Sequence, residues 1–385
     1  MSEKNQRPAN PKPLIECFDG LRDPRVERSR LHKLVDILVI GLCSQLTGGK
    51  DLKDMPVFGL AKQEWLETFL ELPEGIPSYS TFCRVFGAID PDHFLACFVE
   101  WVQGICPTLN NDTVAIDGKA LRRAMNKGDS ISYIVNAWAS QNGLVLGQVK
   151  VKDKSNEITA IPELLRVLEL EGCIVTMDAM GCQKEIAADI IGKDADYVLA
   201  LKGNHATIHE EVKEFFADAV LPCATKCADT VKEGTMDFFQ TVEKKHGRVE
   251  TRRCWQSTNI DWCEDKALWK GLNSIGMVES IRCVKGKTSI ERRFFLSSLP
   301  LDAQRFGKAV RDHWGVENSL HWSLDVTFRE DDSRARTKNA DQNMAMLRRI
   351  ALNLVKKDRS KKCSQRQKLI YAALEPDFLK QLLGI

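Results

Sequence analysis

The sequence predicts an α/β fold: a mixed sheet with flanking helices, interrupted by a largely β insertion and preceded by a helical N-terminal domain. Three observations carry this prediction. Three apolar, strand-like stretches crowd into residues 112–151. Helical and strand patterns then alternate as far as residue 216, as they do when helices cover the faces of a sheet. Between 221 and 298 the helical periodicity lapses in favour of β-prone runs, and it returns from 303 to 324.

The elements follow in order. The first dozen residues, with Pro8, Pro11 and Pro13 among polar neighbours, read as a mobile lead-in. Residues 31–46 carry Leu34, Ile37, Leu38, Gly41, Leu42 and Gln45 at helical spacing, and 62–70 and 93–102 repeat the pattern. Between them, Ser78 or Ser80 can cap a short helix bearing Arg84. That helix has two readings: part of a helix-turn-helix-like DNA reader, or part of a small bundle with Phe82, Val85 and Phe86 in its core. Strands are expected at 112–117, 131–139 and 144–151, with Asn142-Gly143 as a hairpin turn. A helix at 159–170, a buried strand at 173–177, a helix at 183–191, a strand at 197–201 and a helix at 206–216 follow. This strand order is that of the RNase H fold, in which the first and fourth strands are neighbours. Within the insertion, strands are expected at 237–242, 248–256, 274–284 and 292–297. A single helix over 303–324 would then place Phe306, Val310, Trp314, Glu317 and His321 on one face.

At 385 residues with 43% apolar content, the chain is long enough for two or three folded units. The expected division is a helical DNA-binding or associated domain at 1–108, a core at 109–220 and 299–355, the insertion at 221–298, and a basic C-terminal tail at 356–385. No run approaches the eighteen or so apolar residues of a membrane span, and no apolar signal region opens the chain, so a cytoplasmic location is expected. Thirteen scattered cysteines, an odd count, suit reduced thiols. Cys223 and Cys227 are close enough to begin a zinc site, for which His205 and His209 are the nearest further ligands, or simply belong to a loop. The net charge of +2 says little about nucleic acid, because phosphate binding depends on local charge. Locally, Arg348, Arg349, Lys356, Lys357, Arg359, Lys361, Lys362, Arg366 and Lys368 face only Asp358, which suits either a solvated helix end or a phosphate-contacting segment.

Three acids stand in settings that suggest chemistry. Asp117 and Asp178 each end an apolar strand, and Glu317 lies on the later helix. In an RNase H-like core the two strands bring their carboxylates together and the helix returns the glutamate to the sheet edge. Cutting or transferring a phosphodiester requires an activated oxygen nucleophile and a neutralised leaving oxygen, which two divalent ions about 3.5 to 4 Å apart supply. Magnesium is a hard ion that keeps waters and takes one or two carboxylates, so three acids form a sufficient set, with Asp117 shared. Mn2+ can substitute.

The resemblance rests on longer blocks: Ala115-Ile116-Asp117-Gly118-Lys119-Ala120-Leu121-Arg122, Lys154-Ser155-Asn156-Glu157-Ile158-Thr159-Ala160-Ile161-Pro162, Asp178-Ala179-Met180-Gly181-Cys182-Gln183-Lys184, Leu201-Lys202-Gly203-Asn204, and His313-Trp314-Gly315-Val316-Glu317-Asn318-Ser319-Leu320-His321-Trp322. Over about residues 21–354 these resemble the ISAs1 family of insertion-sequence transposases, which includes the H-repeat-associated proteins. The resemblance implies a DDE transposase related to the IS4 group with Asp117, Asp178 and Glu317 as its catalytic triad and metal ligands. One departure stands out. The IS4 group surrounds its glutamate with a Tyr-x2-Arg-x3-Glu-x6-Lys pattern, and the corresponding places here hold Val310, His313 and Leu324. His313, Arg311 or Arg329 could replace the missing phosphate-holding residues, and Asp325 is a rival third ligand.

Several neighbours suit DNA contacts: Lys119 and Arg122 at the scissile phosphate, Lys202 and Asn204 at the same sheet edge, and the basic insertion residues Lys244, Lys245, His246, Arg248 and Arg252 on the backbone. Trp255, Trp262 and Trp269 read as core or as stacking surfaces for a flipped base, and Trp314 and Trp322 as packing that fixes the Glu317 helix. The expected function is binding of the element's terminal inverted repeats, cleavage with two Mg2+ ions and transfer to target DNA, by a homodimer in the DNA complex. The alternatives are a transposase-derived DNA-binding protein that no longer cuts, and a general metal-dependent nuclease.

Overall fold

A computed structural model describes residues 12–106, 109–123, 132–151, 157–220, 234–245 and 247–385. The lead-in to residue 11, His246 and the Cys223–Cys227 pair lie outside the described residues. In chain order the elements are α1 (Leu14–Asp19), α2 (Leu34–Leu46), α3 (Asp54–Ala61), α4 (Gln63–Leu66), α5 (Tyr79–Ala88) and α6 (Pro91–Ile105), then β1 (Thr113–Ala120), β2 (Tyr133–Ala139) and β3 (Leu144–Val151). After α7 (Glu157–Val167) come β4 (Ile174–Met177), α8 (Lys184–Ile191), β5 (Asp196–Leu201) and α9 (Ala206–Val220). The ribbon strands are β6 (Met236–Lys245), β7 (Arg248–Ser257), β8 (Ser274–Val284) and β9 (Lys287–Ser297). Helices α10 (Ala303–His313), α11 (Ala340–Lys357), α12 (Gln365–Leu374) and α13 (Pro376–Leu383) complete the chain. The sheet runs β3-β2-β1-β4-β5-β9-β8-β7-β6, with the first and fourth strands neighbours as expected.

The chain divides into two compact units whose boundaries pass through β1 after Asp117 and through the helical run after Val316. The first comprises residues 1–108, 118–168 and 317–385. Its centre is α11, buried along nearly all its length and packed on α2, α5, α6 and β3. Polar residues on α11 complete the backbone bonding of their neighbours. The Asn353 side chain accepts from Val145 N and donates to Val145 O, both at 2.9 Å, beside the register shift at Ala137/Trp138 in the β2–β3 pair. The hairpin turns at the expected place but over four residues, 140–143, between the paired Ala139 and Leu144, and not as a two-residue Asn142-Gly143 turn; Gly143 N donates to Ala139 O, and its φ of 67° favours glycine. Ser78 caps α5 through the Thr81 N–H, and Phe82, Val85 and Phe86 are buried, as the small-bundle reading expects. Arg348 and Arg349, read as candidates for a basic surface, are instead core residues at 1% and 0% exposure. The basic tail is likewise folded: α12 opens with a capping box at Ser364, and the buried Lys368 donates to Val355 O at 3.0 Å.

The second unit comprises residues 109–117 and 169–316. Here β1, β4 and β5 are parallel, and β9 pairs antiparallel with β5, so β6–β9 extend the same sheet as a ribbon. Helix α10 lies on this sheet through Phe306, Ala309 and Val310, among Ile174, Val198, Cys254, Val278 and Phe295. The approach is close enough that a Cβ on Gly276 would stand 2.2 Å from the Phe306 ring. Among the described residues, no helix is long and apolar enough to cross a membrane, and most of the described cysteines are buried.

Candidate active site

The two aspartates meet through strand register. β1 and β4 run parallel with Ile116 opposite Met177, so Asp178, just past the end of β4, follows beside Asp117, which lies inside β1 and not at its end as the sequence suggested, the strand continuing to Ala120. Asp178 also shapes its own turn: its Oδ1 accepts from Met180 N at 3.0 Å and Gly181 N at 3.4 Å, capping the 3-10 turn Ala179–Gly181. Asn204 donates to Ala179 O at 2.8 Å, and His205 Nε2 meets Cys182 O at 2.6 Å, so the loop after β5 braces that turn. Lys202 beside them is exposed. On α10, His313 Nδ1 lies 3.0 Å from Thr176 Oγ1, two residues before Asp178.

The glutamate's local structure differs from the continuous helix expected over 303–324. α10 ends at His313, and Val316–His321 and Ser323–Thr327 are π-helical. Such wide turns are rare and frequently mark functional sites. They turn the predicted common face apart: Phe306 and Val310 are buried, whereas Glu317 is exposed. Trp314 and Trp322, expected as packing, are 43% and 56% exposed, and Arg293 stacks over the Trp314 ring at 4.2 Å. Glu317 Oε2 lies 3.5 Å from the Nδ1 of buried His321.

Histidine was not anticipated beside Glu317, although its place four residues after Glu317 on a helical segment is the signal that could have suggested it.

Lys119 departs from its expected place at the scissile phosphate. It is 6% exposed, and its Nζ lies 2.7 Å from Asp325, 3.3 Å from Asp331 and 3.5 Å from Glu330. Burial alone would lower the lysine, but the charge of Glu330, with Asp325 and Asp331, outweighs it and raises its pKa. Asp325, the rival ligand, is this lysine's partner, and burial pushes its carboxyl upward against the pull of Lys119. Glu330 in turn holds Arg349 at 2.5 Å, and Arg349 donates to Asn136 at 2.8 Å, so the charges beside β1 form a closed internal network.

The remaining expected DNA contacts lie at the surface. Arg122 is 75% exposed in its side chain, 3.7 Å from Asp331. Arg84 and Lys244 are exposed, while Arg248 and Arg252 belong to a charged cluster on the ribbon. Lys245 ends β6, and its side chain is not described. Trp255 and Trp269 are buried core, and Trp262 stacks on Phe215 with ring centroids 5.6 Å apart. Of the alternative phosphate holders, Arg311 pairs with Glu243 and Arg329 with Asp332.

Comparisons with known proteins place the chain in a family. Residues 109–354 match the family described as Transposase DDE domain, and residues 15–102 match the family described as DDE_Tnp_1-associated. The chain is 37% identical over 377 residues to YncI of Escherichia coli O157:H7, named as a transposase, covering 96% of this chain and 94% of that protein. It is 35% identical over 380 residues to YhhI of Escherichia coli (strain K12), named as an H repeat-associated transposase, covering 97% and 98%. A solved structure, the cryo-EM structure of piggyBac transposase synaptic complex with hairpin DNA, aligns over 96% of this chain and 76% of that one. Its TM-score of 0.44 and 11% identity are too low to bear on the assignment. With a family match over most of its length and relatives of this identity along nearly the whole of it, the chain belongs to the DDE transposases and is a DNA transposase.

Proposed function

We propose that this transposase binds the terminal inverted repeats of its own insertion sequence, cleaves the DNA at their borders and joins the freed 3′-hydroxyl to target DNA. Asp117, Asp178 and Glu317 are its catalytic carboxylates. The observation that carries the reading is the register that sets Asp117, inside β1, beside Asp178 just past the end of the parallel strand β4. Two divalent ions, Mg2+ with Mn2+ as substitute, would supply Lewis-acid activation of the attacking oxygen and neutralisation of the leaving one. The three carboxylates would hold them.

The chain's own residues supply the rest. His321, at 3.5 Å from Glu317, orients that carboxylate, as groups behind a ligand commonly do. The turn capped by Asp178 and braced by Asn204 fixes the end of β4. Arg122, Lys202, Lys244, Arg248 and Arg252 contact the DNA backbone, and Arg84 on α5 belongs to the region that reads the element's ends. A homodimer bridging two ends is part of this reading.

The test is cleavage of a plasmid carrying the coding region with its native flanks, in Mg2+ or Mn2+. Cuts at the repeat borders by wild type, lost in Asp117→Asn and Glu317→Gln, are expected. Tight binding to those flanks without any cutting would replace this reading with a DNA-binding protein that has lost catalysis, and cutting without regard to end sequence would indicate a general nuclease.

A further inference from the structure

The ribbon carries a charge arrangement that a folded β unit does not need. On one face, Glu243 of β6 and Glu250 of β7 stand directly opposite each other, a like-charge pair that destabilises adjacent strands unless cations intervene. Cations do intervene, and from four separate places in the chain. Glu250 lies 2.7 Å from Arg252, 3.4 Å from Arg282 and 3.7 Å from Arg248. Glu243 lies 2.5 Å from Arg311, on the last turn of α10, and 4.0 Å from Arg252.

Glu250 is 4% exposed beneath these side chains, while Arg248, Arg282 and Arg311 keep 46%, 51% and 41% of their side chains in solvent. Four guanidiniums thus face two carboxylates, leaving two positive charges in excess among the described residues. Arg252 also has an enclosed Nη1 with no hydrogen-bond acceptor in reach. Long arginines normally lose conformational freedom when they engage a ligand; here the buried Glu250 and the half-buried Glu243 already hold them, which lowers the cost of a further contact.

We propose that Arg248, Arg252, Arg282 and Arg311, buttressed by Glu250 and Glu243, form a preorganised phosphate clamp that grips the backbone of duplex DNA. Forked guanidiniums match phosphate oxygens better than point charges do. Backbone contacts of this kind position DNA without reading its sequence. The last turn of α10 carries both Arg311 into the clamp and His313 against Thr176, two residues before Asp178, so the gripped strand has a rigid connection to the end of β4. This inference rests on the DNA reading above and extends it to Arg282 and Arg311, with the two glutamates as positioning residues.

The experiment measures binding of the full-length protein to a fluorescent duplex of unrelated sequence as salt is varied. Each lost phosphate contact reduces the slope of log affinity against log salt by about 1. Arg282→Ala and Arg252→Ala should each show that reduction, with several-fold weaker binding. Lys266→Ala removes the same charge from an exposed pair with Asp261 and should leave the slope unchanged. Arg282→Lys keeps the charge without the fork, so it should restore the slope while binding more weakly than wild type. Melting temperatures read in parallel show whether each variant is folded. A wild type with a steep slope whose Arg282 and Arg252 variants behave like Lys266→Ala overturns the clamp alone. A wild type that binds no duplex overturns the DNA reading and the clamp with it.

Discussion

Replacing Glu330 by Gln should destabilise the protein more than any surface change, and by an amount the structure sets. The Glu330 carboxyl is fully buried, bonds Arg349 Nη1 at 2.5 Å and lies 3.5 Å from Lys119. Burial alone would raise it, but the charges of Arg349, Lys119 and Arg348 hold it down, from 4.5 to about 2. A depression of that size corresponds to about 3 kcal/mol of preference for the charged form. Leaving the buried Arg349 without its partner costs about 3–5 kcal/mol by analogy with other broken buried pairs, so the two routes agree. In a protein of this size that is a fall of about 10 °C in melting temperature. The sign with pH follows. A carboxyl whose pKa is depressed on folding stabilises above its ordinary value and loses that contribution as pH falls through the folded one. The gap between wild type and Glu330→Gln should therefore be constant at neutral pH and narrow as pH falls from 4.5 toward 2. Urea unfolding followed by near-ultraviolet circular dichroism measures it. A loss under about 1 kcal/mol, or a gap indifferent to acid, would refute the claim that this ion pair is held inside the protein. Adding Arg349→Met should recover much of the loss, because removing both charges is far less costly than removing one.

Further outcomes follow from particular contacts. Burial lowers Lys356 from 10.5 to about 8, with its ammonium 4.7 Å over the Trp138 ring. A lysine lowered on folding costs stability below its folded pKa and ceases to do so as pH rises toward the unfolded one, so Lys356→Met should stabilise by about 1–3 kcal/mol at pH 7 and by little at pH 10.5. Thermal melts at the two values check this, and an unchanged melting temperature at neutral pH contradicts it. Gly276→Ala would set a methyl against the Phe306 ring and should cost about 1–3 kcal/mol in chemical unfolding; a neutral result would mean that α10 shifts freely on the sheet. Ser364→Ala removes the hydroxyl that accepts from Gln367 N, one half of a capping box, and leaves the backbone N–H that donates to Gln367 Oε1; it should cost about 1 kcal/mol, seen as faster amide exchange in the first turn of α12.

Much of the core was legible because period and turn chemistry agree there. Alternating apolar residues and Asn142-Gly143 define the hairpin, and the strand order that follows places Asp117 beside Asp178. The ribbon strands were also readable, but their attachment was not. Nothing local in residues 287–297 states that β9 will pair with β5, because the partner of a strand is a long-range choice. The π-helical break was hidden for a related reason: residues 316–327 keep apolar residues at helical spacing, and no local residue type marks the wider turns. Charge itself misled where it is buried. Arg348, Arg349, Lys119 and Lys368 read as surface cations in one dimension, and each has its counter-charge or carbonyl partners far away in sequence.

The central claim is that Asp117, Asp178 and Glu317 cut DNA while His321 supports Glu317. It is tested most directly by Mg2+-dependent cleavage at the repeat borders in Asp178→Asn and His321→Ala, measured beside wild type. Asp178→Asn should abolish cutting, and His321→Ala should lose about 10- to 100-fold while still cutting at the same phosphodiester bonds. Cleavage that survives in Asp178→Asn and vanishes in His321→Ala would show that the working set is Asp117, Glu317 and His321, and would contradict the assignment of three carboxylates.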